Sequence, residues 1–120
     1  MKTAYICHPV STGVHRVCTN LELIGMIRRC YVEIGYLPIV PTDIMRYVFP
    51  TGGDQTGAYA TAIEIMLECE EVHVFDGWRQ SRGCIKEVEV AQQNGIPIIM
   101  QDANEVEEEL RLIREEYECH

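Results

Sequence analysis

The sequence predicts a three-layer α/β domain: a parallel sheet of four to five strands with helices packed on both faces. Three observations lead to that fold class. Short apolar runs alternate with longer stretches whose apolar residues recur every three or four positions. Strands separated by helices imply right-handed crossovers between parallel strands. The 120 residues, 47% hydrophobic and 24% charged, have the length and composition of one globular domain, residues 1–120.

The elements follow in order. Ala4–Cys7 is a short apolar strand broken by His8-Pro9, and Ser11, Thr12 and Gly13 mark a loop. Thr19 and Glu22 have the spacing of a capping box. They open a helix with Leu21, Ile24, Ile27, Cys30, Tyr31 and Ile34 along one face, stopped by Gly35. Tyr36–Val40 reads as a second strand, and Pro38, with no N–H to donate, assigns it to a sheet edge. Pro41 to Asp54 is irregular, with a helical turn around Ile44–Tyr47. A second long helix runs from Gln55 to about Glu70, with Ala58, Ala62, Ile65, Met66 and Cys69 inward.

Val72–Phe75 is the third strand, and Asp76–Arg82 a loop. Gly83–Asn94 is a third long helix, ended by Asn94-Gly95. Ile96–Met100, continuously apolar, reads as a buried parallel strand. Asn104–Cys119 closes the chain as an amphipathic helix with Val106, Leu110, Ile113 and Tyr117 inward.

Charge and composition narrow the function classes. The formal net charge of −9 is concentrated at residues 101–120, which carry −6 against −3 for the first hundred. That acidity is a solvated helix face, and no basic stripe exists to neutralise polymeric nucleic acid. No apolar run reaches the roughly 18 residues that span a bilayer, so no membrane partner is expected. The opening MKTAYICHPV is too polar for a signal peptide, which predicts a cytoplasmic protein. Six cysteines then read as thiols rather than a disulfide framework. Without a C-x-x-C or C-x-x-H pair a structural zinc site is not expected, and the sequence carries no motif that implies another metal or a cofactor, so none is expected.

In a doubly wound sheet, ligands lie beyond the carboxyl ends of the strands. Two loops there carry polar or glycine residues, after Cys7 and after Phe75. In the second, Ser81 has the chemistry of a helix cap, and Gly83 permits close approach to the backbone. A helix start of this kind seats a phosphate or carboxylate. On the helical wheel Glu87 lies about 60° from Cys84, against the inward stripe of Cys84, Val88 and Ala91. It reads either as a buried functional carboxylate or as an acid answering the helix dipole. Trp78 offers a stacking face or loop packing, and Asp76 a ribose ligand or a turn. His73 alternates with Val72 and Val74 and reads as a satisfied strand histidine.

Ser81-x-Gly83-x-x-x-Glu87 after an apolar strand, with Tyr5-Ile6-Cys7-His8-Pro9 at the N-terminus, resembles the nucleoside 2-deoxyribosyltransferase-like superfamily. That group includes small deoxynucleoside-monophosphate N-glycosidases. The resemblance covers most of the chain and implies a flavodoxin-like, Rossmann-like fold. It implies that Glu87 is the nucleophile at the anomeric carbon of a deoxyribose, that Tyr5 orients it, and that Ser81 contacts the 5′ end. It further implies a small nucleoside or nucleotide as partner, and a homodimer or higher homo-oligomer whose neighbour completes the pocket.

Two positions depart from the family pattern. His8 stands where a glycine is usual. The aspartate that assists the departing base falls near Ile63 or Thr61, with Glu64 the nearest acid. The expected pocket is therefore Tyr5, His8, Asp76, Trp78, Ser81, Gly83 and Glu87, in an N-glycosidase or deoxyribosyltransferase. The rival readings are a nucleotide-binding or sequestering module without turnover, and a partner-docking protein with a vestigial cleft.

Overall fold

Alternation along the first strand divides the core into two. The computed structural model describes residues 1–9, 17–41, 55–101 and 115. Strand β1 (Lys2–Cys7) sends Ala4 and Ile6 to one face and Tyr5 and Cys7 to the other, all buried. The period of two along a strand requires this division. Helix α1 (Val17–Glu33) covers the first face with Ile24, Ile27, Cys30 and Tyr31. Gly35, at φ 95°, makes the turn into β2 (Tyr36–Ile39) in a conformation that costs other residues strain.

Helix α2 (Gln55–Leu67) and helix α3 (Arg82–Gln93) cover the second face. Met66 and Cys69, beside and beyond the end of α2, meet Cys84, Val88 and Ala91 of α3 over Tyr5, Cys7, Val72 and Val74. The sheet is completed by β3 (Glu71–Phe75) and β4 (Ile98–Gln101), giving the order β2-β1-β3-β4 with every pair parallel. This is the predicted α/β architecture, with four strands among the described residues and helices on both faces. Among the described residues no helix is long and apolar enough to cross a membrane.

The strand order locates the site. From β1 the chain moves to one side to form β2, then returns to the other side of β1 to form β3. Crossovers diverge there, and in sheets of this kind ligands bind beyond the carboxyl ends of the two central strands. Cys7 is in register with Val74, so the loops after β1 and β3 leave side by side.

Two expectations need correction. Ile34 was expected on the inward stripe of α1 but is 60% exposed. The helix stops at Glu33, and Ile34 falls in the turn before Gly35. The apolar run Ile96–Met100 was expected to be a buried strand. Among the described residues β4 is instead an edge strand, with Ile98 and Ile99 half-buried and Met100 exposed. By contrast Pro38 does sit in an edge strand. The Ser11–Gly13 loop, the capping side chains of Thr19 and Glu22, residues 42–54 and, apart from Glu115, the C-terminal helix lie outside the described residues or side chains.

The first face holds a buried polar network. His73 Nδ1 lies 2.6 Å from Tyr31 Oη, and His73 Nε2 lies 3.0 Å from Glu71 Oε1. A neutral ring that accepts from the phenol and donates to the carboxylate satisfies both contacts. Lys2 reaches the other Glu71 oxygen at 3.3 Å. The hydrogen bond from His73 leads the interactions that hold the Glu71 carboxyl below its ordinary range. His73 is thus the satisfied strand histidine that its pattern predicts.

Candidate active site

Helix α3 begins where its sequence allows. Gly77, at φ 87°, turns the chain out of β3 into a short 3-10 turn, Trp78–Gln80. Ser81 is the N-cap: its Oγ accepts from the Cys84 N–H at 3.3 Å. Cys84, Glu87, Val88 and Ala91 then form the buried stripe of α3. Glu87, 7% exposed, is the one acid on it.

Glu87 meets Tyr5 from the middle of β1. Burial pushes the Glu87 carboxyl up to about 7, opposed by the Tyr5 phenol. Burial likewise drives the Tyr5 phenol well above its ordinary value, and the Glu87 charge adds to the effect. The phenol lies close enough to act on the carboxylate as a hydrogen-bond donor, but the contact is not well aligned. Neither Tyr5 Oη nor Glu87 Oε2 has a partner at hydrogen-bond geometry, although both atoms are buried.

Two thiols share this spot. Cys7 Sγ donates to the Cys84 carbonyl at 3.8 Å. The two sulfurs and a Glu87 carboxylate oxygen all lie within 4.8 Å of one another. Cys84, first, then burial and the Glu87 charge push the Cys7 thiol up. The sequence suggested no metal site; these three are donors that a soft ion could use.

Tyr59, absent from the predicted set, reaches the same place from α2. A Cβ built on Gly83 would stand 2.9 Å from its Oη and 3.0 Å from a ring carbon. Burial raises the Tyr59 phenol, helped by the charges of Glu87 and Cys84. Tyr59 lies one helical turn before Ile63, a position predicted for a base-facing acid, so i, i+4 spacing was the available signal. Ile63 itself packs in the core, Thr61 Oγ1 donates to Gly57 O at 2.9 Å, and Glu64 is exposed.

The remaining predicted residues spread around this centre. Trp78 packs partly against the core cluster that holds Tyr5 and Cys7, and the Arg79 guanidinium covers its ring at 5.3 Å. Asp76 is exposed at the end of β3. His8 is buried, with Nδ1 2.7 Å from Pro9 O, and its ring packs 5.6 Å from Phe75. Phe75 belongs to the core face under α1, so His8 sits toward that side rather than with Tyr5 and Cys7.

Comparison with known proteins adds a family. The model of a domain of unknown function, DUF4406, matches residues 25–100, most of the chain. The chain belongs to the DUF4406 family. No curated protein matches it. Among solved structures this DUF4406 protein is similar to a 2-deoxyribosyltransferase from the psychrotolerant bacterium Bacillus psychrosaccharolyticus. The TM-score is 0.64 at 12% identity, over 83% of this chain and 72% of that one. It is also similar to a 2-deoxyribosyltransferase from Leishmania mexicana, with TM-score 0.56 and 16% identity, over 85% of this chain and 65% of that one. The DUF4406 chain therefore has a nucleoside 2-deoxyribosyltransferase-like fold.

Proposed function

We propose that this protein acts on the N-glycosidic bond of a nucleoside or nucleotide, with Glu87 as nucleophile. The observation that carries the reading is the convergence of Tyr5 and Glu87, both buried, from β1 and α3. The fold, shared with two 2-deoxyribosyltransferases, supports it.

In this reading the ionised Glu87 carboxylate attacks the anomeric carbon as the carbon–nitrogen bond to the base breaks. The base leaves with the bonding electrons and takes a proton from solvent or a neighbouring donor. Water or a second base then displaces the carboxylate and releases the sugar. Covalent catalysis divides one hard substitution into two easier ones, as in retaining glycosidases. Tyr5, whose phenol stays protonated, donates to Glu87 and fixes the attacking oxygen. Tyr59 walls the pocket beside Gly83, and the Ser81 helix start is the seat for a phosphate or 5′-hydroxyl. We take residues 1–120 as one domain working in a homodimer or higher homo-oligomer.

The test is chromatography of deoxynucleoside and deoxynucleoside-monophosphate mixtures, run with chelator present. Wild type is expected to release free base and Glu87→Ala none. Equal release from both removes Glu87 from the mechanism.

One observation favours a second reading, a nucleotide-binding protein without turnover. Among the described residues of α2, Glu64 is the one acid, and it is exposed. Lost proton assistance to the leaving base typically costs about 10²–10⁴-fold in rate. Nucleotides would then raise the melting temperature by mass action without being consumed.

A further inference from the structure

We propose that Cys7, Cys84 and Glu87 form a binding site for a thiophilic d10 divalent cation, zinc or a heavier congener. Two thiolates and one carboxylate are the donors, and they stand within 4.8 Å of one another, all buried. In a tetrahedral zinc site with Zn–S near 2.3 Å and Zn–O near 2.0–2.2 Å, donor atoms sit roughly 3.5–3.8 Å apart. Side-chain adjustments of about an ångström close the cluster around an ion. Rigid elements hold the donors: Cys7 ends β1, while Cys84 and Glu87 are three residues apart on one face of α3.

Ligand chemistry selects the metal class. Paired sulfurs favour zinc-like ions over magnesium or calcium, which take oxygen. A second feature points to a cation here. Glu87 Oε2 is buried without a well-aligned hydrogen bond, and so is the neighbouring Tyr5 Oη. Buried polar atoms so poorly satisfied are rare in folded proteins. An ion satisfies the carboxylate, and the phenol is placed to donate to it. Binding replaces the two thiol protons, which pass to buffer, by metal–sulfur bonds. The fourth position is left to water. If Glu87 is the nucleophile proposed above, an occupying ion withholds it from the sugar; this consequence alone rests on that reading.

Cadmium is the probe. The full-length chain, freed of metal by chelator, is titrated with Cd2+ while the ultraviolet thiolate-to-cadmium band is followed. A cadmium–proton correlation spectrum of the wild-type complex then identifies the bound cysteines through coupling to their β protons. One ion per chain is expected, coupled to Cys7 and Cys84. Cys84→Ala is expected to lose at least ~10-fold in affinity, as metal sites do when even a supporting group is removed. Cys30→Ala, on the opposite core face, should bind as wild type does. Absence of the band, or coupling to any other cysteine, overturns the proposal. The wild-type spectrum decides the matter even if a variant fails to fold. Base release is assayed in chelator, so a negative cadmium result leaves the glycosidic reading intact.

Discussion

Tyr59 and Gly83 fit together so closely that a single methyl group at position 83 would sit 2.9 Å from the Tyr59 phenolic oxygen. Helix α3 thus meets α2 through a glycine that its helical backbone does not otherwise need. In isolation Gly83→Ala should stabilise α3, since glycine is about 1 kcal/mol worse than alanine in a helix. In this protein the Tyr59 ring must swing away first. Tyr59 is 44% exposed, so the swing is cheap in stability but displaces the phenol from the pocket. Gly83→Ala should therefore melt near wild type while losing the nucleotide binding proposed above. On a Tyr59→Ala background the same change should stabilise by up to ~1 kcal/mol. A double-mutant cycle in urea measures the difference, and strict additivity would mean that the two side chains do not compete for space.

Glu87 makes stability depend on pH in the direction opposite to an ion-paired carboxylate. Its carboxyl moves from 4.5 to about 7 on folding, because burial penalises the charge. Between those values the folded chain holds a proton that the unfolded chain has released. The contribution is full below pH 4.5 and is lost as pH rises through 7. The shift corresponds to roughly 3 kcal/mol. Urea midpoints at pH 5 and pH 8 should differ more in wild type than in Glu87→Gln, with wild type relatively stronger at pH 5. Parallel pH dependence in the two proteins would place the Glu87 carboxyl in a solvated setting.

How much of this was legible beforehand depends on which physical rule was at work. The sheet follows from local patterns, and strand alternation, the Ser81 cap and the wheel position beside Cys84 place Tyr5 and Glu87 on inward faces, but their approach to each other was implied only by the family resemblance. Strand burial was less readable, because a continuous apolar run such as Ile96–Met100 does not distinguish a central strand from an edge. Ile34 was misplaced because the helical stripe was extended one residue past the end of α1. Tyr59 carries no signal in the family pattern, which places a carboxylate on α2 and not a phenol one turn earlier. The thiol pair was invisible for a different reason. Cys7 and Cys84 are 77 positions apart, and only the parallel sheet and its crossover bring them together.

The buried network under α1 should contribute to stability and leave the pocket alone. Tyr31→Phe removes the donor 2.6 Å from His73 Nδ1, leaving Gln101 at 3.4 Å as a weak substitute. Leaving a buried acceptor poorly satisfied costs about 1–3 kcal/mol. Tyr31 packs on the face opposite Tyr5 and Glu87, so the nucleotide-induced thermal stabilisation expected of the proposed site should persist. A lowered urea midpoint with an unchanged ligand shift is the expected pair of results. An unaltered midpoint would show that the phenol does not hold the ring.

Tyr5 distinguishes a positioning residue from a packing residue by the pH profile it sets. In the proposed reaction Glu87 attacks only as the carboxylate, so base release should rise with pH through about 7 and then level off. The Tyr5 phenol holds that inflection lower than burial alone would, because it favours the ionised form. Tyr5→Phe keeps the ring that fills the core beside Cys7 and Val72 but removes the donor. The inflection should then move to higher pH. The plateau rate should fall roughly 10–100-fold, the range expected for losing a hydrogen bond worth about 1.5–3 kcal/mol to a charged group. If Tyr5 served the core alone, the rate would fall with stability and the inflection would stay in place. A pH–rate series on the two proteins in chelator, with melting curves at each pH, separates the two outcomes.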